Sequence, residues 1–323
     1  MHDEWMERGW TLQELLAPCS IKFFNKDWMP VTGDRNDKSW EDTEVMKTLE
    51  RAAGIPIDAL CELVPGPFCV DERMTWAARR KTTRVEDVAY SLMGIFDVSL
   101  QIAYGEGGDR AFYRLIETIM QAGNRSVLNW TGEPADHHSS GVIPRSPQSY
   151  VGRTPDLDLY SDLSPLEMAM TSLGLRVPLV VFPLRVTPDS KPEGNFVTAE
   201  CLLCPMVKVD INDVLWNVAP ELALGIVNYS LEVGSLEPGI RGRSACFILQ
   251  RYRREILSSG PHDMSAQPRP GDFVGLKTVS PPKYRCAGWR KVRKTGLIKI
   301  DFPNILSDKF CYINSEYLEI VYL

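Results

Sequence analysis

The spacing of apolar residues changes character partway along the chain. Over the first part, apolar positions recur at helical spacing. From about Gly174 onward they gather into short runs of the kind strands make. Leu12, Leu15 and Leu16 form one stripe of a helix whose other side carries Trp10, Gln13 and Glu14. Pro18 disfavours helical geometry at Ala17, which limits this helix to about two turns. So short a helix is not stable alone, and its leucines must dock on a core. Ser20–Phe24 reads as a strand, with a turn near Asp27 to Pro30. Ser39-x-x-Asp42 reads as a capping box for a helix through Glu50, stopped at Ala53-Gly54-Ile55-Pro56, with a further helical turn in Ile57 to Leu63. Thr83-x-x-Glu86 is a cleaner box. The helix it predicts turns Val85, Val88, Ala89, Leu92 and Met93 to a core before Gly94 ends it. A longer helix follows, capped by Asp109, with Phe112, Leu115, Ile116, Ile119 and Met120 on one face.

The stretch from 131 to about 172 is rich in Pro, Ser, Asp and Gly and reads as a linker or long loop. Beyond it the predicted strands are Leu175–Val186, Phe196–Val209, Leu222–Tyr229, Ala245–Tyr252, Phe273–Thr278, Gly296–Phe302 and Glu316–Tyr322, separated by Gly, Pro or Asp clusters. The fold class is therefore α+β. A mainly helical domain spans 1–131, a connecting region 132–172, and a β-rich domain 173–323, the last an antiparallel sandwich or a distorted barrel.

At 323 residues the chain can bury two cores. A net charge of −6 with scattered Lys and Arg argues against nucleic-acid binding. The densest basic run, Arg79-Arg80-Lys81 with Arg84, reads first as a solvated helix flank and second as a partner or phosphate contact. Arg285, Arg290, Lys291, Arg293 and Lys294, interleaved with Tyr284 and Trp289, could form a nucleic-acid patch, but read first as basic edge residues of a β-hairpin. The start of the chain is acidic and has no signal peptide, and no apolar run reaches the roughly 18 residues of a membrane span. These features describe a soluble, cytoplasmic protein.

Eight cysteines in a chain of this length do not make a disulfide scaffold. Cys201-x-x-Cys204 has metal-like spacing, but on a single strand residues three apart face opposite sides, so no metal is expected there. Tyr104-Gly105-Glu106-Gly107-Gly108 lacks the Lys-Ser/Thr of a P-loop and reads as a loop with left-handed glycines, although amides near Gly107 and Gly108 could receive an anion. His2, His137, His138 and His262 are the histidines and no GxSxG elbow occurs, which disfavours a nucleophile–histidine hydrolase.

Arg8-Gly9-Trp10-Thr11-Leu12-Gln13-Glu14-Leu15-Leu16-Ala17-Pro18 resembles the signature block of the fungal heterokaryon-incompatibility (HET) domain. Further matching blocks follow in the same order: Phe23–Trp28, Glu72–Arg80, Thr82–Val98, Tyr104–Gly107 and Ala111–Leu115, so the resemblance covers roughly residues 7 to 130. In that family about half the domain precedes the first of these blocks, so the resemblance implies a partial, N-terminally truncated HET domain. It implies a role in vegetative incompatibility, the self/non-self recognition that triggers programmed cell death or innate-immune-type signalling, acting through protein partners and without a cofactor.

The stretch Trp10–Leu15 is also similar to a Trp-Cys-Leu-x-Glu-Leu stretch of TIR domains. That similarity implies a TIR-like α/β remnant and, as an alternative, cleavage of NAD as substrate. Glu14 would be the catalytic carboxylate, with Arg8 and Trp10 as pocket residues. The chemistry suits a carboxylate, because departure of nicotinamide builds oxocarbenium character on the ribose. Trp10 and Glu14, four residues apart, would lie side by side. The plainer reading of the same residues is a core-packing helix with a solvated or salt-bridged Glu14. With half the domain absent, no NAD hydrolysis is expected from this chain alone.

Overall fold

The computed structural model describes residues 4–41, 43–135, 141–157, 159, 164–186, 196–210, 221–231, 234–235, 237–255, 284–292, 296–305 and 309–323. His2, His137, His138, His262, Arg293, Lys294 and the predicted strand Phe273–Thr278 lie outside the described residues. Helices come first in the chain and strands second. The helices are α1 (Thr11–Leu16), α2 (Glu44–Ala53), α3 (Ile57–Cys61), α4 (Val70–Ala77), α5 (Asp87–Tyr90), α6 (Met93–Phe96) and α7 (Gly108–Met120). A 3₁₀ turn at Glu4–Glu7 precedes α1.

Four expectations for the helical half need correction. Ser20–Phe24 is not a strand; it makes a single bridge, Phe24 to Pro30. Polar side chains organise this segment instead. Lys22 Nζ donates to Asp37 Oδ1, the Thr32 and Asp34 carbonyls and Thr32 Oγ1, and the Phe23 amide donates to Asp37 Oδ2. The second helix is capped one residue after the expected box: Thr43 Oγ1 accepts from the Met46 amide at 3.3 Å, while Asp42 lies outside the described residues. Gly54, with φ +67°, closes it.

The third correction is to the Thr83 helix, which is two four-residue pieces, α5 and α6. The Glu86 carboxylate is drawn to the loop at Tyr104–Gly107. Its Oε1 accepts from the amides of Gly105 and Gly107 at 2.8 and 3.1 Å, which ties up the expected capping carboxylate and leaves Val85 61% exposed. Gly94 sits inside α6 rather than ending a helix. Last, Asp109 lies in the first turn of α7 behind the cap residue Gly107, with its carboxylate 3.7 Å from Arg145 Nε. The apolar face of α7 is as expected, with Phe112, Leu115, Ile116, Ile119 and Met120 all buried.

The strands are β1 (Ala169–Thr171), β2 (Gly174–Val186), β3 (Phe196–Cys201), β4 (Cys204–Asp210), β5 (Leu222–Ile226), β6 (Ser230–Leu231), β7 (Pro238–Arg241), β8 (Arg243–Glu255), β9 (Tyr284–Lys291), β10 (Ile298–Asp301), β11 (Phe310–Tyr312) and β12 (Leu318–Tyr322). One antiparallel sheet runs in the order β10-β8-β5-β2-β3-β4, with β1 and β12 added on β2 and β9 on β8. β12 and β9 approach each other, Trp289 Nε1 donating to Glu319 Oε2 at 3.1 Å, so the sheet curls into a nearly closed, barrel-like form. A small sheet, β11-β7-β6, lies beside it.

Here the sequence reading merged two strands. Phe196–Val209 is a hairpin with its turn at Leu202 and Leu203, and Cys201 and Cys204 are cross-strand partners. Partners in register share a face, so the thiols are not on opposite sides as expected from a single strand. Burial raises the Cys201 thiol above its ordinary range, and Cys246 further still. Among the described residues no group of three or more His, Cys, Asp or Glu side chains converges as metal ligands would.

A continuous cluster of buried apolar residues runs from Leu12 through α7, the connecting stretch and the sheet to Leu323. The connecting stretch joins it through Val142, Ile143, Tyr150 and Leu166. Arg125, 4% exposed, bolts the two halves together. Its Nε donates to the Val227 carbonyl at 2.6 Å, Nη1 to Ser164 at 2.6 Å, and Nη2 to Tyr229 at 3.2 Å. Burial lowers its pKa to about 10. Across the same seam Lys291 Nζ sits 4.5 Å from the centre of the Trp130 ring, and burial lowers its pKa to about 8. Among the described residues no helix is long and apolar enough to cross a membrane.

Candidate functional site

The segment Arg8–Pro18 owes its position to contacts made along its whole length. The amide of Gly9 donates to the Lys81 carbonyl at 2.9 Å and the amide of Lys81 donates to the Glu7 carbonyl at 2.6 Å, pairing Arg8 with Lys81. The two stretches approach so closely that a Cβ on Gly9 would lie 2.5 Å from Thr82 Cγ2. Glycine here is a requirement of packing.

α1 then turns Leu12, Leu15 and Leu16 into the core at 0, 0 and 2% exposure, as the leucine stripe predicts. Thr11, also buried, donates from Oγ1 to the Trp5 and Arg8 carbonyls. Gln13 Nε2 reaches the Ser91 carbonyl at 2.6 Å, and Gly94 leaves it room, since a Cβ there would fall 2.8 Å from Gln13 Oε1. At the other end Lys38 Nζ donates to the Pro18 carbonyl at 2.7 Å and to Leu16 at 3.4 Å. A buried cation thus meets the unpaired carbonyls of the helix C-terminus, though its burial pulls the Lys38 pKa down.

The three residues singled out from the sequence all reach the surface. Arg8 is exposed, and its carbonyl accepts from Arg80 Nη1 at 3.0 Å. Trp10 stands at the cap position of α1 with 39% of its surface exposed. Glu14 is exposed, and its Oε2 accepts from Trp5 Nε1 at 3.2 Å. Among the described residues Glu14 makes no ion pair. The structure therefore sets Arg8, Trp10 and Glu14 on one short element, with Trp5 as the neighbour of the carboxylate.

Several residues that hold this element were not found in the sequence. Arg80 was part of a basic run read as a solvated flank. Arg79, Lys81 and Arg84 are exposed as that reading expects. Arg80 instead folds back: Nη1 bonds Arg8 O and, at 3.1 Å, Thr11 Oγ1, Nε bonds Trp76 O at 3.2 Å, and burial lowers its pKa to about 10. Nothing in residue type separates it from its neighbours. Its placement three residues after α4 is what turns it inward.

A second polar node sits beneath Tyr104–Gly107. Tyr90 Oη donates to Glu106 Oε1 at 2.6 Å, Arg114 Nη1 donates to the same oxygen at 2.6 Å, and Tyr104 Oη donates to Asp87 at 3.1 Å. Gly105 and Gly107 have φ of +97° and +88°, the left-handed glycines expected of this loop. The anion their amides receive is the chain's own Glu86.

The chain is similar to "Vegetative incompatibility protein HET-E-1" of Podospora anserina, 46% identical over 116 residues. That stretch is 36% of this chain and 8% of the Podospora protein. No family model matches the chain. No solved structure matches it.

Proposed function

We propose that this chain acts in heterokaryon incompatibility, as a HET-type protein that engages other proteins and drives a growth-arrest or cell-death response. The observation that carries this reading is the 46% identity over 116 residues to a vegetative incompatibility protein. The surface of the signature segment supports contact with a partner: Trp10 and Arg8 are exposed on an element that is otherwise firmly held. An exposed tryptophan beside an arginine on a rigid base is the kind of anchor that protein interfaces use. Induced expression in a filamentous fungus tests the reading. The expected result is growth arrest that Trp10→Ala weakens while protein level stays unchanged. Normal growth at high protein level overturns it.

The alternative is hydrolysis of NAD with Glu14 as the carboxylate that stabilises positive charge on the ribose. In its favour, Glu14 is exposed and meets only a neutral indole donor among the described residues. Nicotinamide release from NAD by the purified chain, lost in Glu14→Ala, is the outcome this alternative requires. Equal background from both proteins removes it.

A further inference from the structure

Beside the 3₁₀ turn at Glu4–Glu7, the last turn of α2 and the end of α4 enclose a cleft of about 660 Å³. That volume is within the roughly 300–1,000 Å³ typical of small-molecule sites. Arg8, Trp10 and Glu14 do not line it; Met6, Glu7, Arg51, Trp76, Arg79 and Arg80 do. Three arginines thus line one recess with a single carboxylate among its described lining residues. Glu7 is itself engaged by Lys81 Nζ at 3.0 Å. Arg51, Arg79 and Arg80 form no ion pair among the described residues. Arg80 Nη2 is shut off from solvent and has no hydrogen-bond partner.

Like charges gathered in one place are unfavourable without an anion between them. Guanidinium groups match phosphate oxygens in geometry as well as charge. We propose that this cleft binds a phosphorylated small molecule, its phosphates held by Arg51 and Arg79 and its body resting on the apolar wall of Met6 and Trp76. The site is independent of the incompatibility reading and of Glu14. It also gives a role to Arg79, the exposed member of the basic run that makes no ion pair among the described residues. Because Arg80 also holds the Arg8 carbonyl and Thr11, an occupied cleft would brace α1 from below.

Binding is measured by isothermal titration with inorganic pyrophosphate and, separately, with ADP, at constant ionic strength set with sodium chloride. Arg80 is left intact because it holds α1. The test variant is Arg51→Ser/Arg79→Ser, both exposed positions. The control is Arg185→Ser/Arg243→Ser, which removes the same charge from the β-rich half. Saturable binding of either probe by the natural chain and by the control, weakened at least about tenfold in the test variant, is the expected result. Three outcomes overturn the site: no saturable binding of either probe, undiminished binding in Arg51→Ser/Arg79→Ser, or an equal loss in the control. Matching melting curves for the two variants establish that folding is not what the titration reads.

Discussion

β2 and β8 are 13 residues each and lie paired with neighbours along most of their length, whereas α5 and α6 are four residues apiece. In the sheet the backbone satisfies itself through ladders. In the helical half it cannot, because helices this short leave most of their terminal amides and carbonyls without partners. Long polar side chains make up the difference. Arg73 donates to the carbonyls of Val64, Gly66 and Ile95, Lys38 to Leu16 and Pro18, Gln13 to Ser91, and Arg80 to Arg8 and Trp76. Stability in the helical half is therefore concentrated in a few side chains, while in the β-rich half it is spread over many backbone bonds. Single substitutions should expose that difference.

The largest effect is expected at the joint between the two. Arg125→Ala removes a buried cation and strands the carbonyls of Val227, Ser164 and Tyr229, each of which then lacks the guanidinium donor. Stranding the two buried acceptors, on Val227 and Tyr229, together with the part-buried one on Ser164 is expected to cost about 3–5 kcal/mol. Urea unfolding of the variant should show a matching fall in midpoint. If the halves depend on this bolt to unfold together, the variant's single transition should also split, the helical part melting first. A loss below about 1 kcal/mol would mean that the apolar cluster alone joins the halves.

Within the helical half, Gly9→Ala should cost about 2 kcal/mol, because the added methyl meets Thr82 Cγ2 at 2.5 Å in a packed site. Gly9→Ala/Thr82→Ser, which removes the opposing methyl, should recover most of that loss. In the β-rich half the corresponding local change, Leu202→Ser at a hairpin turn where the side chain is 69% exposed, should fall within about 0.5 kcal/mol of the natural chain. Similar losses at both positions would erase the contrast between the halves.

The same contrast explains what could be read from the sequence. Periodicity located the faces of α1 and α7 because burying one side of a helix leaves a repeating trace, and it located β2, β5, β8, β10 and β12 because their runs are apolar and bounded by breakers. It failed where polar side chains do the organising. Ser20–Phe24 looks like a strand, yet Asp37, Lys22 and Asn36 hold it as a loop. The 196–210 run lacked a glycine at its turn, so two strands read as one. β1, β6, β7 and β11, of two to four residues, are too short to leave a pattern. For the site, the leucine anchor of α1 was legible. The inward turn of Arg80 and the cleft it lines were not, because they depend on contacts between residues far apart in the chain, such as Arg80 and Arg8, 72 positions apart.

Glu86 gives the smallest and most specific test, because its carboxylate does in the helical half what a ladder does in the sheet. Hydrogen bonds from its own amide and those of Gly105 and Gly107 lower its pKa below the ordinary glutamate range. The folded state thus prefers the ionised form more than the unfolded chain does. A carboxyl with a depressed folded pKa contributes stability that is fully present above the unfolded value of about 4.3 and is lost as pH falls through the folded one. Glu86→Gln keeps an oxygen that can accept from the two glycine amides but cannot ionise. The natural chain should therefore exceed Glu86→Gln in stability at neutral pH, with the difference shrinking toward zero as the solution is acidified below the unfolded value. Taking the difference between the two proteins removes the parallel contribution of Asp37. Burial pushes that group's pKa up, but hydrogen bonds from Lys22, Thr32 and Phe23 outweigh it and leave the pKa lowered overall. Urea titrations across the acid range read the difference directly. A gap independent of pH would mean that the loop is held by the shape of its glycines, whatever the charge on residue 86.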